Sequence, residues 1–124
     1  MEGLNFFYDS YAIIEIISDN PKYLKYKEGN IILTLFNLAE VYWSVLGDFG
    51  KEKADEVYAV FRNNVVEVDD ETLKEAIVFR KEHKKRDLSY TDCIGYIYAK
   101  RNNLKFLTGD SQFEKMPFVE FVKK

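Results

Sequence analysis

Short runs of aromatic and β-branched residues alternate along this chain with stretches of helical spacing. That alternation limits the possible folds more than any single residue does. Segments 4–8, 30–34, 65–68, 104–108 and 118–122 read as strands, being short, apolar and rich in Phe, Tyr, Ile and Val. Segments 10–18, 21–28, 35–46, 51–62, 69–85 and 89–102 read as helices. Asp19-Asn20-Pro21, Gly29-Asn30, the Gly47/Gly50 pair and Met116-Pro117 mark the breaks. Strands that alternate with helices favour a parallel sheet covered on both faces. The expectation is an α/β chain: a three-layer α/β/α sandwich around a mainly parallel sheet of four to five strands. Its 124 residues, 47% of them hydrophobic, suffice for one domain over residues 1–124 and are too few for two.

In such sheets ligands bind beyond the carboxyl ends of the strands, and four acids are placed to reach that edge. Asp9 ends the first apolar run and Asp110 follows the 104–108 run. Asp92 opens a helix, and Glu40 lies about two turns into another. Each also has an ordinary structural reading. Asp9 and Asp110 suit helix caps, and Ser89-Tyr90-Thr91-Asp92 fits a capping box. Glu40 is no cap; it lies on the side of the helix away from the Leu35/Leu38/Tyr42/Val45 stripe, beside Phe36 and Trp43. Gathered together, the four carboxylates would offer hard oxygen ligands of the kind Mg²⁺ or Mn²⁺ prefers. Ser10 and Thr108 add hydroxyls next to two of them, although capping and strand propensity explain both equally well.

Other chemistries fit less well. Cys93 is the only cysteine, which excludes an intrachain disulfide and a cysteine-based zinc site. It lies on an apolar stripe with Ile94, Ile97 and Tyr98 and reads as buried packing. His83 reads as a solvated side chain at a charged helix end. No P-loop pattern occurs. No apolar stretch approaches a membrane span, and Met1-Glu2-Gly3 offers no basic leader region, so a soluble, cytoplasmic setting is the simplest reading. Net charge is −3, unevenly spread: Arg80–Arg86 carries +4, which leaves −7 on the rest. Within that run Lys81, Lys84 and Lys85 are candidates for RNA contact. The plainer reading is a helix end whose bases offset the dipole.

Four segments, taken in order, resemble the PIN-domain ribonucleases: Tyr8-Asp9-Ser10, Asn37-Leu38-Ala39-Glu40, Leu88-Ser89-Tyr90-Thr91-Asp92 and Leu107-Thr108-Gly109-Asp110-Ser111-Gln112-Phe113. Within that superfamily the chain looks most like the toxin half of VapBC-type toxin–antitoxin pairs. The resemblance implies a Mg²⁺- or Mn²⁺-dependent endoribonuclease that cleaves RNA phosphodiesters. It assigns Asp9, Glu40, Asp92 and Asp110 to the metal-binding quartet, with Asp9 and Asp92 as the central ligands. It also implies an antitoxin partner. Together with nine Tyr, ten Phe and one Trp in a small chain, it implies a homodimer. Ser10-Tyr11 stands where many members carry Thr-Asn or Thr-Ser, and the role of Glu114 stays open. Two rival readings remain. A Mg²⁺-dependent phosphatase or phospho-acceptor domain would want a second acid just after Asp9, which Ser10-Tyr11-Ala12 does not supply. A non-catalytic PIN-like RNA- or protein-binding module would not need all four acids.

Overall fold

The computed structural model describes residues 5–124. Leu4, the expected start of the first strand, and the leader reading over Met1-Glu2-Gly3 lie outside the described residues. The elements run β1 (Phe6–Tyr8), α1 (Ser10–Ile17), α2 (Leu24–Lys27), β2 (Leu33–Thr34), α3 (Leu35–Phe49), α4 (Lys51–Arg62), β3 (Val65–Val66), α5 (Asp70–Glu82), α6 (Tyr90–Arg101), β4 (Lys105–Thr108) and β5 (Val119–Phe121). Short 3₁₀ turns occupy Pro21–Tyr23 and Ser111–Phe113.

All the strand pairs are parallel. β1, β4 and β5 form one ladder with β4 in the middle, and β2 pairs with β3. Among the described residues the two parts meet at a single bridge, Phe7 to Ile32, where the Tyr8 N–H donates to the Ile32 carbonyl at 2.8 Å. The strand order is therefore β3–β2–β1–β4–β5.

The pleat sorts side chains into two cores, because successive residues of a strand point to opposite faces. Tyr8, Leu33 and Leu107 join Ile13, Leu38, Val41 and Val57 from α1, α3 and α4 on one face. Phe7 and Phe106 join Ala76, Leu88, Ile94, Ile97 and Phe113 on the other. Helices cover both faces, as the alternation of elements requires. α6 lies close against β1 and β4 because Gly95 faces the sheet: a Cβ there would stand 2.6 Å from one ring carbon of Phe7 and 3.1 Å from one of Phe106. Gly50, at φ 89°, turns the chain directly from α3 into α4 in a conformation that most residues avoid.

Three local readings need correction. The β2 and β3 strands keep only two residues each. α5 stops at Glu82 with His83 as its C-cap, so Lys84, Lys85 and Arg86 leave the helix. In α3 the buried residues are Asn37, Leu38, Val41 and Val45, while Leu35 and Leu46 are exposed. Adding Asn37 and Val41 rotates the inward face to roughly 115° from Glu40, closer than the Leu35/Leu38/Tyr42/Val45 stripe suggested.

Candidate functional site

The parallel sheet carries its carboxyl ends to one edge, and all four acids stand there on different elements. Asp9 follows β1, and Asp110 follows β4 after Gly109. Asp92 sits in the first turn of α6, and Glu40 in the second turn of α3. Their structural roles turn out to be real. Asp9 is the N-cap of α1, its Oδ1 accepting from the Ser10 N–H at 2.8 Å. Asp92 completes a capping box, its Oδ2 accepting from the Ser89 N–H at 2.9 Å. The Oδ1 of Asp110 caps the 3₁₀ turn through the Gln112 N–H at 2.9 Å. Capping occupies one oxygen of Asp92 and one of Asp110, and the other oxygen of each accepts no hydrogen bond among the described residues.

The hydroxyls tie the acids together. Thr108 Oγ1 donates to Asp9 Oδ2 at 2.7 Å and accepts from the Asp110 N–H at 3.1 Å, so one buried side chain orients both. Ser10 Oγ donates to Glu40 Oε1 at 2.6 Å. Behind it, Asn37 Nδ2 donates to Ser10 Oγ at 3.0 Å, while Thr34 Oγ1 donates to Asn37 Oδ1 at 2.7 Å. Thr34 and Asn37 also form the capping box that starts α3. The result is a directional chain, Thr34 to Asn37 to Ser10 to Glu40, in which each group donates to the next. Thr34 and Asn37 were not legible as site residues. The capping-box spacing S/T-x-x-N was present, but its link to Ser10 is tertiary.

The electrostatics match a cluster of like charges. Burial pushes the Asp9 carboxyl up to about 8; the Asp92 charge adds to this, the Thr108 hydroxyl opposes it, and Glu40 adds again. Asp9 is 3% exposed. Asp92 is raised as well, mainly by burial, against the Ser89 hydrogen bonds and with the charges of Asp110 and Glu40 adding. Among the described residues no three His, Cys, Asp or Glu side chains close into a coordination set. Each acid turns instead to the nearest hydroxyl or N–H. The donors still fit a hard divalent cation: they are all oxygens, they carry excess negative charge, and two of the aspartates keep an oxygen unengaged.

The remaining candidates fall elsewhere. Cys93 is fully buried in the α6 core, where burial pushes its thiol up to about 11. His83 is not the solvated side chain expected: it is partly buried, stacks on Phe79 at 4.1 Å between ring centroids, and its Nδ1 lies 2.9 Å from the Phe79 carbonyl oxygen. Lys81 and Lys84 line a cleft beside the start of α6, and Lys85 does not. No helix of the described residues is long and apolar enough to cross a membrane.

A family model described as the PIN domain matches residues 6–119. No curated protein matches the chain in sequence. Several solved structures share its fold, three of them as follows. VapC20 of Mycobacterium tuberculosis, a Sarcin-Ricin loop cleaving toxin, superposes with a TM-score of 0.78 at 17% identity, covering 95% of this chain and 99% of its own. A toxin–antitoxin complex from Klebsiella pneumoniae gives 0.72 at 18% identity, covering 94% of this chain and 95% of that one. VapBC2 of Rickettsia felis, bound to a DNA fragment from its promoter, gives 0.68 at 14% identity over 97% and 98%.

Proposed function

The chain belongs to the PIN-domain family, and from that premise we propose that it is a metal-dependent endoribonuclease, the toxin of a toxin–antitoxin pair. The observation that carries the proposal is the carboxylate edge itself: four acids from four elements converge where a parallel sheet binds ligands, and burial and mutual repulsion hold the innermost one protonated near neutrality. A structural set of caps has no need to share an edge or to raise the pKa of Asp9 and Asp92.

In this reading Asp9 and Asp92 are the central ligands of Mg²⁺ or Mn²⁺, and Glu40 and Asp110 complete the donor set directly or through water. Such an ion, when bound, neutralises the approaching phosphate and makes water a better nucleophile. The chain's own residues do the positioning. Thr108 holds Asp9 and fixes the backbone at Asp110. Ser10 holds Glu40 from the side that Asn37 supports. The Ser89 cap aims Asp92 from the first turn of α6. Without a cation the four carboxylates would repel a phosphodiester, so activity requires one. The toxin reading brings an antitoxin partner with it, since two of the structural relatives are toxin–antitoxin assemblies.

The test is cleavage of single-stranded RNA by the purified protein with Mg²⁺ or Mn²⁺, against EDTA. Asp9→Asn and Asp92→Asn should each lower the rate by at least about 100-fold, the scale expected when an electrostatic group is lost from a site, while far-UV circular dichroism stays unchanged. Cleavage by either variant at the wild-type rate would overturn the assignment.

A further inference from the structure

We infer that the cleft between the end of α5 and the start of α6 is an RNA-backbone subsite that receives the strand next to the scissile bond. The inference rests on the ribonuclease reading and names a part of the molecule outside the carboxylate edge. Arg80, Lys81, Lys84 and Arg86 surround the cleft, which has a volume of about 330 Å³. Ile77 and Leu88 supply apolar surface, and Tyr90 forms a wall.

Three observations distinguish this cleft from a solvated helix end. First, α5 stops at Glu82. Lys84 and Arg86 are therefore carried by the turn that follows, and they meet Arg80 and Lys81 across a concave surface rather than pointing away from a helix tip. Second, none of the four cations is in an ion pair among the described residues, although the chain has more acids than bases. Third, two of the four are already held in place. Arg80 Nε donates to the Leu88 carbonyl at 3.0 Å, and its guanidinium lies 4.2 Å from the Tyr90 ring centroid. An Arg86 guanidinium N–H donates to the Gln112 carbonyl at 2.7 Å. Four unneutralised cations around an apolar patch suit a polyanion with flat, apolar groups between its charges. Tyr90, 57% exposed, offers a surface for a base to stack on, as single-strand binders use aromatic side chains.

Continuity with the carboxylates selects RNA over an acidic protein segment. Leu88 and Tyr90 flank Ser89, which caps the turn holding Asp92. Arg86 is tied to Gln112, whose N–H is capped by Asp110. A strand with a phosphate at the carboxylate edge can thus place its next phosphates among the four cations. A protein ligand would gain nothing from that adjacency.

The experiment measures anisotropy of a fluorescein-labelled single-stranded RNA 12-mer with the whole protein in EDTA, across a salt series. The triple variant Lys81→Gln/Lys84→Gln/Arg86→Gln should bind at least tenfold more weakly. Its log affinity should fall with log salt by a slope about 2 smaller, as three lost phosphate contacts on a single strand require. Tyr90→Ala should weaken binding several-fold and leave the slope unchanged. Lys53→Gln, a single charge loss on α4, should match the wild type, and Lys84→Gln, the same single loss in the cleft, should not. With Mg²⁺ present, the loss in the triple variant should appear in KM rather than in kcat. Lys84→Gln alone is a milder form of the test should the triple variant lose its fold. Unchanged affinity and slope in the triple variant would overturn the inference, as would displacement of the RNA by a polyglutamate peptide of equal charge at equal affinity. If the wild type cleaves RNA and the variant matches it, the subsite fails alone; if the wild type neither binds nor cleaves RNA, the ribonuclease reading fails first.

Discussion

Asp9 performs three tasks with two oxygens. It caps α1, accepts from Thr108 and stands among the other acids. The consequence is a proton. Its carboxyl titrates near 8 in the fold against 3.8 in a free aspartate, so the folded protein keeps a proton that the unfolded chain has already lost. The stability this group contributes is complete below about pH 4 and is lost as pH rises through 8. Asp92 is shifted the same way. Asp55 and Asp69 are lowered, and their contributions are lost only on acidification below that window. In EDTA the protein should therefore melt at a lower temperature at pH 8 than at pH 5, and Asp9→Asn, which cannot ionise, should narrow the difference. Calorimetry at the two pH values decides: an equal difference in both proteins would mean that Asp9 does not carry the proton. Adding Mn²⁺ should reverse the wild-type trend, because ligand carboxylates must be deprotonated to bind. At this scale Asp9, Asp92 and Asp110 were legible because each sits at an element boundary, and Glu40 because, inside α3, it could not be read as a cap. The Thr34–Asn37–Ser10 chain was not, because hydrogen bonds between residues 27 apart leave no periodic trace.

α3 shows why a helix can be found in the right place, here running through Gly47 to Phe49, and still be read wrongly in phase. Apolar spacing placed Leu35 and Leu46 inward, yet both are exposed and Asn37 is fully buried. A polar residue within the buried face breaks the pattern from which the face is inferred. Asn37 can be buried because every polar atom of its side chain is used: Oδ1 accepts from the Thr34 N–H and hydroxyl, and Nδ2 donates to Ser10. Asn37→Ala should cost about 1–3 kcal/mol in urea unfolding, the scale for buried donors and acceptors left unsatisfied. It should also lower cleavage, because Ser10 loses the donor that fixes its hydroxyl on Glu40. A variant as stable as the wild type would show that the cap does not anchor the helix. The same kind of reasoning covers α5, where the base-rich end looked helical to residue 85. The chain turns at His83, whose ring stacks on Phe79 instead of entering solvent, and a stacking partner four residues back cannot be told from an exposed pair by spacing alone.

Across the whole molecule the layers and the parallel pairing follow from the alternation of elements, while the strand order came only from the structure. The surface is less settled by that pattern. Trp43 is 78% exposed, and Phe36 and Phe49 stand out from the same helix, which leaves a broad apolar face on α3. We propose that a second copy of the chain covers part of it. Light scattering at micromolar concentration should report a dimer that Trp43→Ala shifts toward monomer; a wild-type monomer would remove self-association from the account. The single Phe7–Ile32 bridge has a different consequence. Asp9, Asp92 and Asp110 ride on the well-laddered side of the sheet, while Glu40 rides on the other, attached to β1 by one bridge, by helix packing and by its bond to Ser10. That seam carries one bridge, where β4 makes three registered pairs with each of its neighbours. A partner bound on α3 should therefore displace Glu40 before it displaces the three aspartates.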